Sequence, residues 1–255
     1  MCRQLAYIGP PMSLESLLLS PAHSLLHQSY RPRYQNHGVV NADGFGCGWF
    51  DKGIRPEPAL YRRDKPIWSD TSFSSLAPLI RSGAVVASVR DATPGSAAEE
   101  TSALPFAEGR WLYAHNGKLD GFYDHAGTAV HEMVSKARRA RIRGTSDSEI
   151  LFALVMDLLD TTDDPAGALL SVIRRCRTVS GGTFNFILHD GSAVTATAAG
   201  ESLFVLEGSS RVPGGVAVAS EPYDDDPAWR RVPDASLVRA AHGRVDITPI
   251  KEEDE

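Results

Sequence analysis

Four short stretches of this chain carry side chains that together can do amide chemistry. The chain opens MCRQLAYIGP, so removal of Met1 leaves Cys2 first, with a thiol and a free α-amine on one residue. Such removal is permitted when the second residue is small, as cysteine is. An α-amine titrates at about 7.7–8.0, which makes it a base near neutral pH. Base and nucleophile then share one residue. A penultimate cysteine is inert if it frays, but the strand-like run that starts at once would hold this one in place. The second stretch is AHNGKL (114–119), where Asn116-Gly117 closes a strand-like run. Asn-Gly is a turn dipeptide. It is also an amide beside a backbone N–H, two donors for a developing oxyanion, with a glycine that admits close backbone approach.

The third stretch, SVRDATPG (88–95), ends an apolar run in Arg90, with Thr93 three residues on. A guanidinium there can grip a carboxylate through two parallel hydrogen bonds, and Thr93 can add a hydroxyl. A salt bridge at a sheet rim is the plain alternative. The fourth is GTSDSE (144–149), with Asp147 at a helix start. Capping and the helix dipole favour an acid there in any case, and the same carboxylate can accept an ammonium group. A carboxylate grip and an ammonium acceptor read an α-amino acid head group. A γ-glutamyl compound carries that head group two methylenes from its scissile amide, on which a nucleophile and an oxyanion hole would act.

Two other patterns lead elsewhere. NADGFGCGWF (41–50) has glycines at alternate positions, which presses one strand face against a close neighbour. Phosphate binding needs GxGxxG opening a helix, which this run is not. His23 and His27 have the i, i+4 spacing of metal ligands on one helix face. No third ligand is near, so neither a metal nor a cofactor is expected.

These groups need rigid elements to hold them. Strand-like runs cover 2–9, 45–50, 84–90, 110–116, 183–190, 192–199, 202–207 and 215–220. Asp190-Gly191 between two of them signals a hairpin. Helical patterns cover 13–20, 72–82, 129–140, 147–160 and 166–177. In the fourth, Ile150, Leu151, Leu154, Val155, Leu158 and Leu159 form a stripe, with Thr145 or Ser146 as the cap and Glu149 following. Strands joined by hairpin-length links, with helices in separate groups, predict an α+β fold of two mainly antiparallel sheets between helix layers.

The chain has 255 residues, 42% of them hydrophobic, enough for a sizeable core without staples. One domain over 2–250 and a disordered acidic tail over 251–255 are expected. Three scattered cysteines (Cys2, Cys47 and Cys176) do not make a disulfide framework and fit a reducing cytoplasm. A net charge of −6 argues against a nucleic-acid partner, and the basic run KARRARIR (136–143) reads as a solvated helix face. No stretch has the length of a membrane span or the form of a signal peptide.

With those residues in view, the chain resembles the class II glutamine amidotransferases of the N-terminal nucleophile hydrolase superfamily. Cys2 matches that family's catalytic cysteine. Arg90 and Thr93 match its carboxylate-binding positions, Asn116 and Gly117 its oxyanion hole, and Asp147 its ammonium-binding aspartate. The resemblance implies a four-layer αββα sandwich. The runs QSYRPR, NADGFG, PIWSDTSF, LPFAEGRWLYAHNG and SEPYDDDPAW are similar to the γ-glutamyl hydrolase branch of ergothioneine biosynthesis. Many family members have AHxR where this chain has Ser88, and HPF where it has Leu104-Pro105-Phe106; both departures are usual in that branch. The branch implies glutamate release from γ-glutamyl-hercynylcysteine sulfoxide. With no second domain expected to accept ammonia, no obligatory synthase partner is expected. Hydrolysis of glutathione-type substrates, a glutaminase subunit and an inactive γ-glutamyl binding protein stay open. The trimethylammonium of that substrate prefers aromatic faces, for which Trp68 and Trp49 are the candidates.

Overall fold

The computed structural model describes residues 2–36, 38–92, 99–241 and 243–251. Among these residues, antiparallel strands form two sheets. The first has the order β11-β9-β10-β1-β4-β2-β3 and the second β13-β12-β8-β7-β6-β5. In the first sheet β1 is Arg3–Ser13, β2 Phe45–Trp49, β3 Ala59–Arg63, β4 Arg81–Val89, β9 Phe204–Glu207, β10 Val216–Ala219 and β11 Arg230–Arg231. In the second, β5 is Phe106–Glu108, β6 Trp111–Leu119, β7 Gly182–His189, β8 Val194–Ala198, β12 Ser236–Ala241 and β13 Arg244–Pro249. Helices α1 (Leu14–Leu18), α2 (Leu25–Gln28) and α3 (Thr71–Leu76) accompany the first sheet. Helices α4 (Gly127–Met133), α5 (Lys136–Arg139), α6 (Asp147–Leu159) and α7 (Pro165–Arg177) accompany the second.

Three buried clusters show how the layers stack. Strand side chains alternate between faces, so β1 sends Ala6 and Ile8 one way and Leu5 and Tyr7 the other. Ala6 and Ile8 meet Ala114, Ile187 and Ala196 of the second sheet, which is the core between the sheets. Leu5 and Tyr7 meet Leu14, Leu17, Leu25 and Phe73, the core under the first helix layer. Tyr113, Phe184 and Phe186 face Leu151, Leu154, Val155, Leu169 and Val172 of α6 and α7. The result is the αββα sandwich of two mainly antiparallel sheets.

Local signals explain the start of α6 and the β7–β8 hairpin. Ser146 caps α6 by accepting from the Glu149 N–H at 3.3 Å. The Glu149 carboxylate turns back to accept from the N–H groups of Arg143 and Gly144 at 2.8 and 2.6 Å. Asp190-Gly191 joins β7 to β8, with Gly191 at φ +78°. Other expectations are corrected. The helix expected over 72–82 ends at Leu76, and the chain is already strand at Arg81. The helix expected over 129–140 breaks where Val134 turns extended (ψ 139°) and Ser135 caps a separate α5. The basic run is not wholly a solvated face. Arg138 is 7% exposed and pairs with Glu108, Asp157 and Asp160, tying β5 and α5 to α6. Among the described residues, no helix is long and apolar enough to cross a membrane.

His189 links the two sheets and makes the fold sensitive to acid. Its Nε2–H donates to the Tyr7 carbonyl at 3.2 Å and its Nδ1 accepts from the Gly191 N–H at 3.0 Å, which fixes a neutral ring. Burial lowers its pKa to about 4. Between that value and about 6.5 the unfolded chain binds a proton that the folded chain refuses, so stability falls as pH falls. This residue should remove about 2 kcal/mol between about pH 7.5 and about pH 5. Urea unfolding at both pH values should show His189→Gln losing less over that interval than the parent; equal losses would sink the assignment.

Candidate active site

Strand register and the start of α6 bring Cys2, Arg90, Asn116, Gly117 and Asp147 to one end of the sandwich. Arg3 pairs with Val89, and Val89 with Phe45. One step further along the first pair sets Cys2 beside Arg90. Cys2 is 9% exposed, with its side chain against the core under α6 and α7. Arg90 is buried, and its Nη1 donates to the Asp43 carbonyl at 3.4 Å. Its backbone is fixed by an N–H bond to Gly44 (2.8 Å) and by accepting from the Asp43 N–H (2.9 Å). Thr93 lies outside the described residues.

Asn116 and Gly117 stay within β6, opposite Asn185 and Phe184 of β7, so the pair is not a turn. The Asn116 side chain is fully buried; its Oδ1 accepts from Arg3 Nη2 at 3.3 Å, and its Nδ2 donates to Ser220 Oγ at 3.5 Å. Backbone N–H groups alternate sides along a strand. Leu119 sends its N–H to the Asp147 carboxylate at 2.9 Å, while Asp120 sends its own to Gly181 at 3.0 Å. The Gly117 N–H therefore leaves on the Leu119 side, beyond β5, whose pairing with β6 ends at Tyr113. The glycine is required by protein packing. A Cβ at 117 would sit 1.9 Å from the Thr183 carbonyl oxygen and 2.6 Å from His115 Nε2.

Asp147 opens α6 beside a cavity of about 210 Å³ lined by Lys118, Leu119, Asp120 and Phe122. Its Oδ2 accepts from Leu119, and its Oδ1 from the Ser148 N–H at 2.7 Å. His115 supports this corner from behind. Its Nε2–H donates to Thr183 at 3.0 Å, so its Nδ1 accepts from the Ser148 hydroxyl at 2.9 Å. Burial lowers the His115 pKa although Asp147 and the Thr183 carbonyl pull it up, and the ring is neutral.

The glycines of the 41–50 run are explained by the same end of the molecule. A Cβ on Gly46 would lie 2.5 Å from the Leu104 carbonyl, and one on Gly48 2.5 Å from a Leu112 methyl. The segment leading into β5 thus crosses β2 at backbone contact. His23 and His27 face each other, Nδ1 to Nδ1, at 3.0 Å, and His23 Nε2 meets Glu221 at 2.8 Å. Trp68 is 42% exposed, edge-on to Tyr30, whose ring lies 5.0 Å from that of His27. Trp49 pairs with Val85, four residues down β4 from Val89 and about 13 Å along the strand. It packs under the first helix layer, away from Cys2. Cys47 and Cys176 are buried, and burial pushes both thiols up, Cys176 to about 12. Neither is a nucleophile at neutral pH.

Sequence reasoning missed Arg3, Ser220 and Glu221. The signal for Arg3 was a charge set inside an apolar strand directly after the cysteine. For Glu221 it was an acid opening a loop straight after the apolar β10.

The sequence profile of the class-II glutamine amidotransferases matches residues 16–210. The γ-glutamyl-hercynylcysteine sulfoxide hydrolase of Mycolicibacterium smegmatis is 41% identical over 98% of this chain and all of its own length. That of Mycobacterium tuberculosis is 39% identical over 98% of this chain and 97% of its own length. The solved structure of a glutamine aminotransferase class-II domain protein from Silicibacter pomeroyi superposes with a TM-score of 0.72 at 26% identity, covering 98% of this chain and all of that one.

Proposed function

The chain belongs to the class-II glutamine amidotransferases, and from that membership we propose that it hydrolyses the γ-glutamyl amide of γ-glutamyl-hercynylcysteine sulfoxide. The products are glutamate and hercynylcysteine sulfoxide. The observation that carries this reading is near-full-length identity of 39–41% to two hydrolases named for that substrate, with Cys2, Arg90, Asn116, Gly117 and Asp147 at one end of the sandwich. The enzyme is read as acting on a small molecule in the cytoplasm, as one domain over 2–250, without an ammonia-accepting partner.

In this reading Cys2 is residue one of the working enzyme. Its α-amine, directly or through a water, takes the thiol proton, and the thiolate attacks the γ-carbonyl carbon. Asn116 and the Gly117 N–H stabilise the oxyanion. The C–N bond breaks as the leaving amine takes a proton, leaving a glutamyl thioester on Cys2. Water adds to the thioester, and glutamate departs with the thiol restored. Arg90 and Thr93 hold the α-carboxylate and Asp147 the α-ammonium. Trp68, exposed beside Tyr30, is the face offered to the trimethylammonium.

Asn116→Ala should lower kcat by roughly 10²–10³-fold; turnover close to the parent would remove Asn116 from the oxyanion hole. The deciding experiment is glutamate release from γ-glutamyl-hercynylcysteine sulfoxide, glutathione and glutamine side by side. Fast release from the sulfoxide is the expected result. Preference for either of the others would overturn the substrate and keep the chemistry.

A further inference from the structure

Arg3 is fully buried, and its guanidinium has three occupied directions. Nε donates to the Cys2 carbonyl at 2.7 Å, and Nη2 to Asn116 Oδ1 at 3.3 Å. Nη1 meets Glu221 Oε1 at 3.1 Å. One planar group therefore holds the backbone of the nucleophile's residue and the side chain of the oxyanion donor. Its own backbone is pinned, because the Ser88 hydroxyl donates to the Arg3 carbonyl at 3.1 Å. Its charge is met by a carboxylate held at four points. Besides Arg3, Glu221 accepts from the N–H groups of Arg33 (2.8 Å) and Tyr34 (3.0 Å) and from His23 Nε2 (2.8 Å).

A side-chain amide has two ends of opposite character. A guanidinium has donors only, so the end of Asn116 facing it must be the oxygen. The amide cannot turn over without opposing two donors. Nδ2 is then forced to the other side, with one hydrogen toward Ser220 and the second left for a substrate oxyanion. We propose that Arg3, oriented by Glu221, is a positioning residue that fixes the Asn116 amide with its N–H outward and holds Cys2 beside it. The inference rests on the hydrolase reading above for its kinetic arm only.

The test compares Arg3→Lys with the parent in two readouts. Lysine keeps a charge opposite Glu221 but cannot present two parallel donors to Cys2 and Asn116. In the first readout, the Asn116 side-chain NH₂ resonances of ¹⁵N-labelled protein are identified by their loss in Asn116→Ala. They should be sharp in the parent and broadened or shifted in Arg3→Lys; unchanged resonances would overturn the proposal. In the second, Arg3→Lys should lower kcat by up to about 10²-fold, with KM within about threefold because Arg90 and Asp147 are untouched. In an Asn116→Ala background the same substitution should cost clearly less in kcat, only the part that comes from the bond to the Cys2 carbonyl. Equal penalties in both backgrounds would overturn the proposal, since a general structural role does not depend on Asn116. If Arg3→Lys does not fold, Arg3→Met with Glu221→Gln leaves no carboxylate buried alone and enters the same two readouts. A parent that hydrolyses none of the γ-glutamyl compounds would fault the hydrolase reading, and the resonance readout would still decide on Arg3.

Discussion

Replacing Cys2 with alanine is expected to lower glutamate release by at least about 10⁴-fold and to leave the fold intact. In the proposed cycle its sulfur attacks the γ-carbonyl and then carries the glutamyl group as a thioester, so no neighbouring group can substitute for it. Cys47 and Cys176 are excluded by burial, which pushes their thiols out of the reactive range. The structural cost is small, because the change removes one atom at the margin of the core under α6 and α7. The variant should still bind glutamate, since in the proposed cycle Arg90 and Asp147 hold the head group. Glutamate release, the melting temperature and glutamate binding would each be measured. Residual turnover above about a tenth of the parent's would place the nucleophile elsewhere. A companion variant with an extra residue retained ahead of Cys2 keeps the thiol and masks the amine. Full activity there would take the α-amine out of the mechanism.

Glu221→Ala should cost about 3–5 kcal/mol of stability at neutral pH, the range found when one member of a buried ion pair is removed. The carboxylate is fully buried and accepts from Arg3, His23 and two backbone N–H groups. Burial alone would push its pKa up; the bonds from His23, Arg33 and Tyr34 and the Arg3 charge outweigh that and hold it below the ordinary carboxylate range. Deleting it strands the guanidinium and two backbone donors together. Because the folded pKa is depressed, this stabilisation is complete above the unfolded carboxylate value and is lost as pH falls through the folded one. The gap between the parent and Glu221→Gln should therefore be widest near neutrality and close in acid. Urea unfolding at both extremes gives the answer, and a neutral-pH cost under about 1 kcal/mol would mean that the Arg3 charge finds another partner.

The sequence was most legible where one residue carries its own physics. Asp190-Gly191 marked a hairpin, and Ser146 with Glu149 marked the start of α6. The alternate glycines of β2 announced a close crossing, which proved to be Leu104 and Leu112 rather than a ligand. Elements that depend on distant partners were harder to read. β12 and β13 alternate correctly, but their outward Arg239, Arg244 and Asp246 make the runs look polar. β3 and β5 are edge strands of five and three residues, too short for periodicity to register. The positions of Cys2, Arg90, Asn116, Gly117 and Asp147 were visible as chemistry in single residues. Arg3 and Glu221 were not, since their meaning arises from a contact spanning 218 residues.

That span also sets an order of events during synthesis. β1 lies inside its sheet, between β4 and β10, and Gln4 bonds to Ser220 across 216 residues of chain. Until β10 leaves the ribosome, one flank of β1 has no neighbour. At about 5–20 residues per second that interval lasts on the order of ten to forty seconds. Afterwards β1 has a neighbour on both sides and the Cys2 side chain lies against the core under α6 and α7. The strand that follows the proposed nucleophile is thus made first and completed almost last, when its C-terminal neighbour arrives.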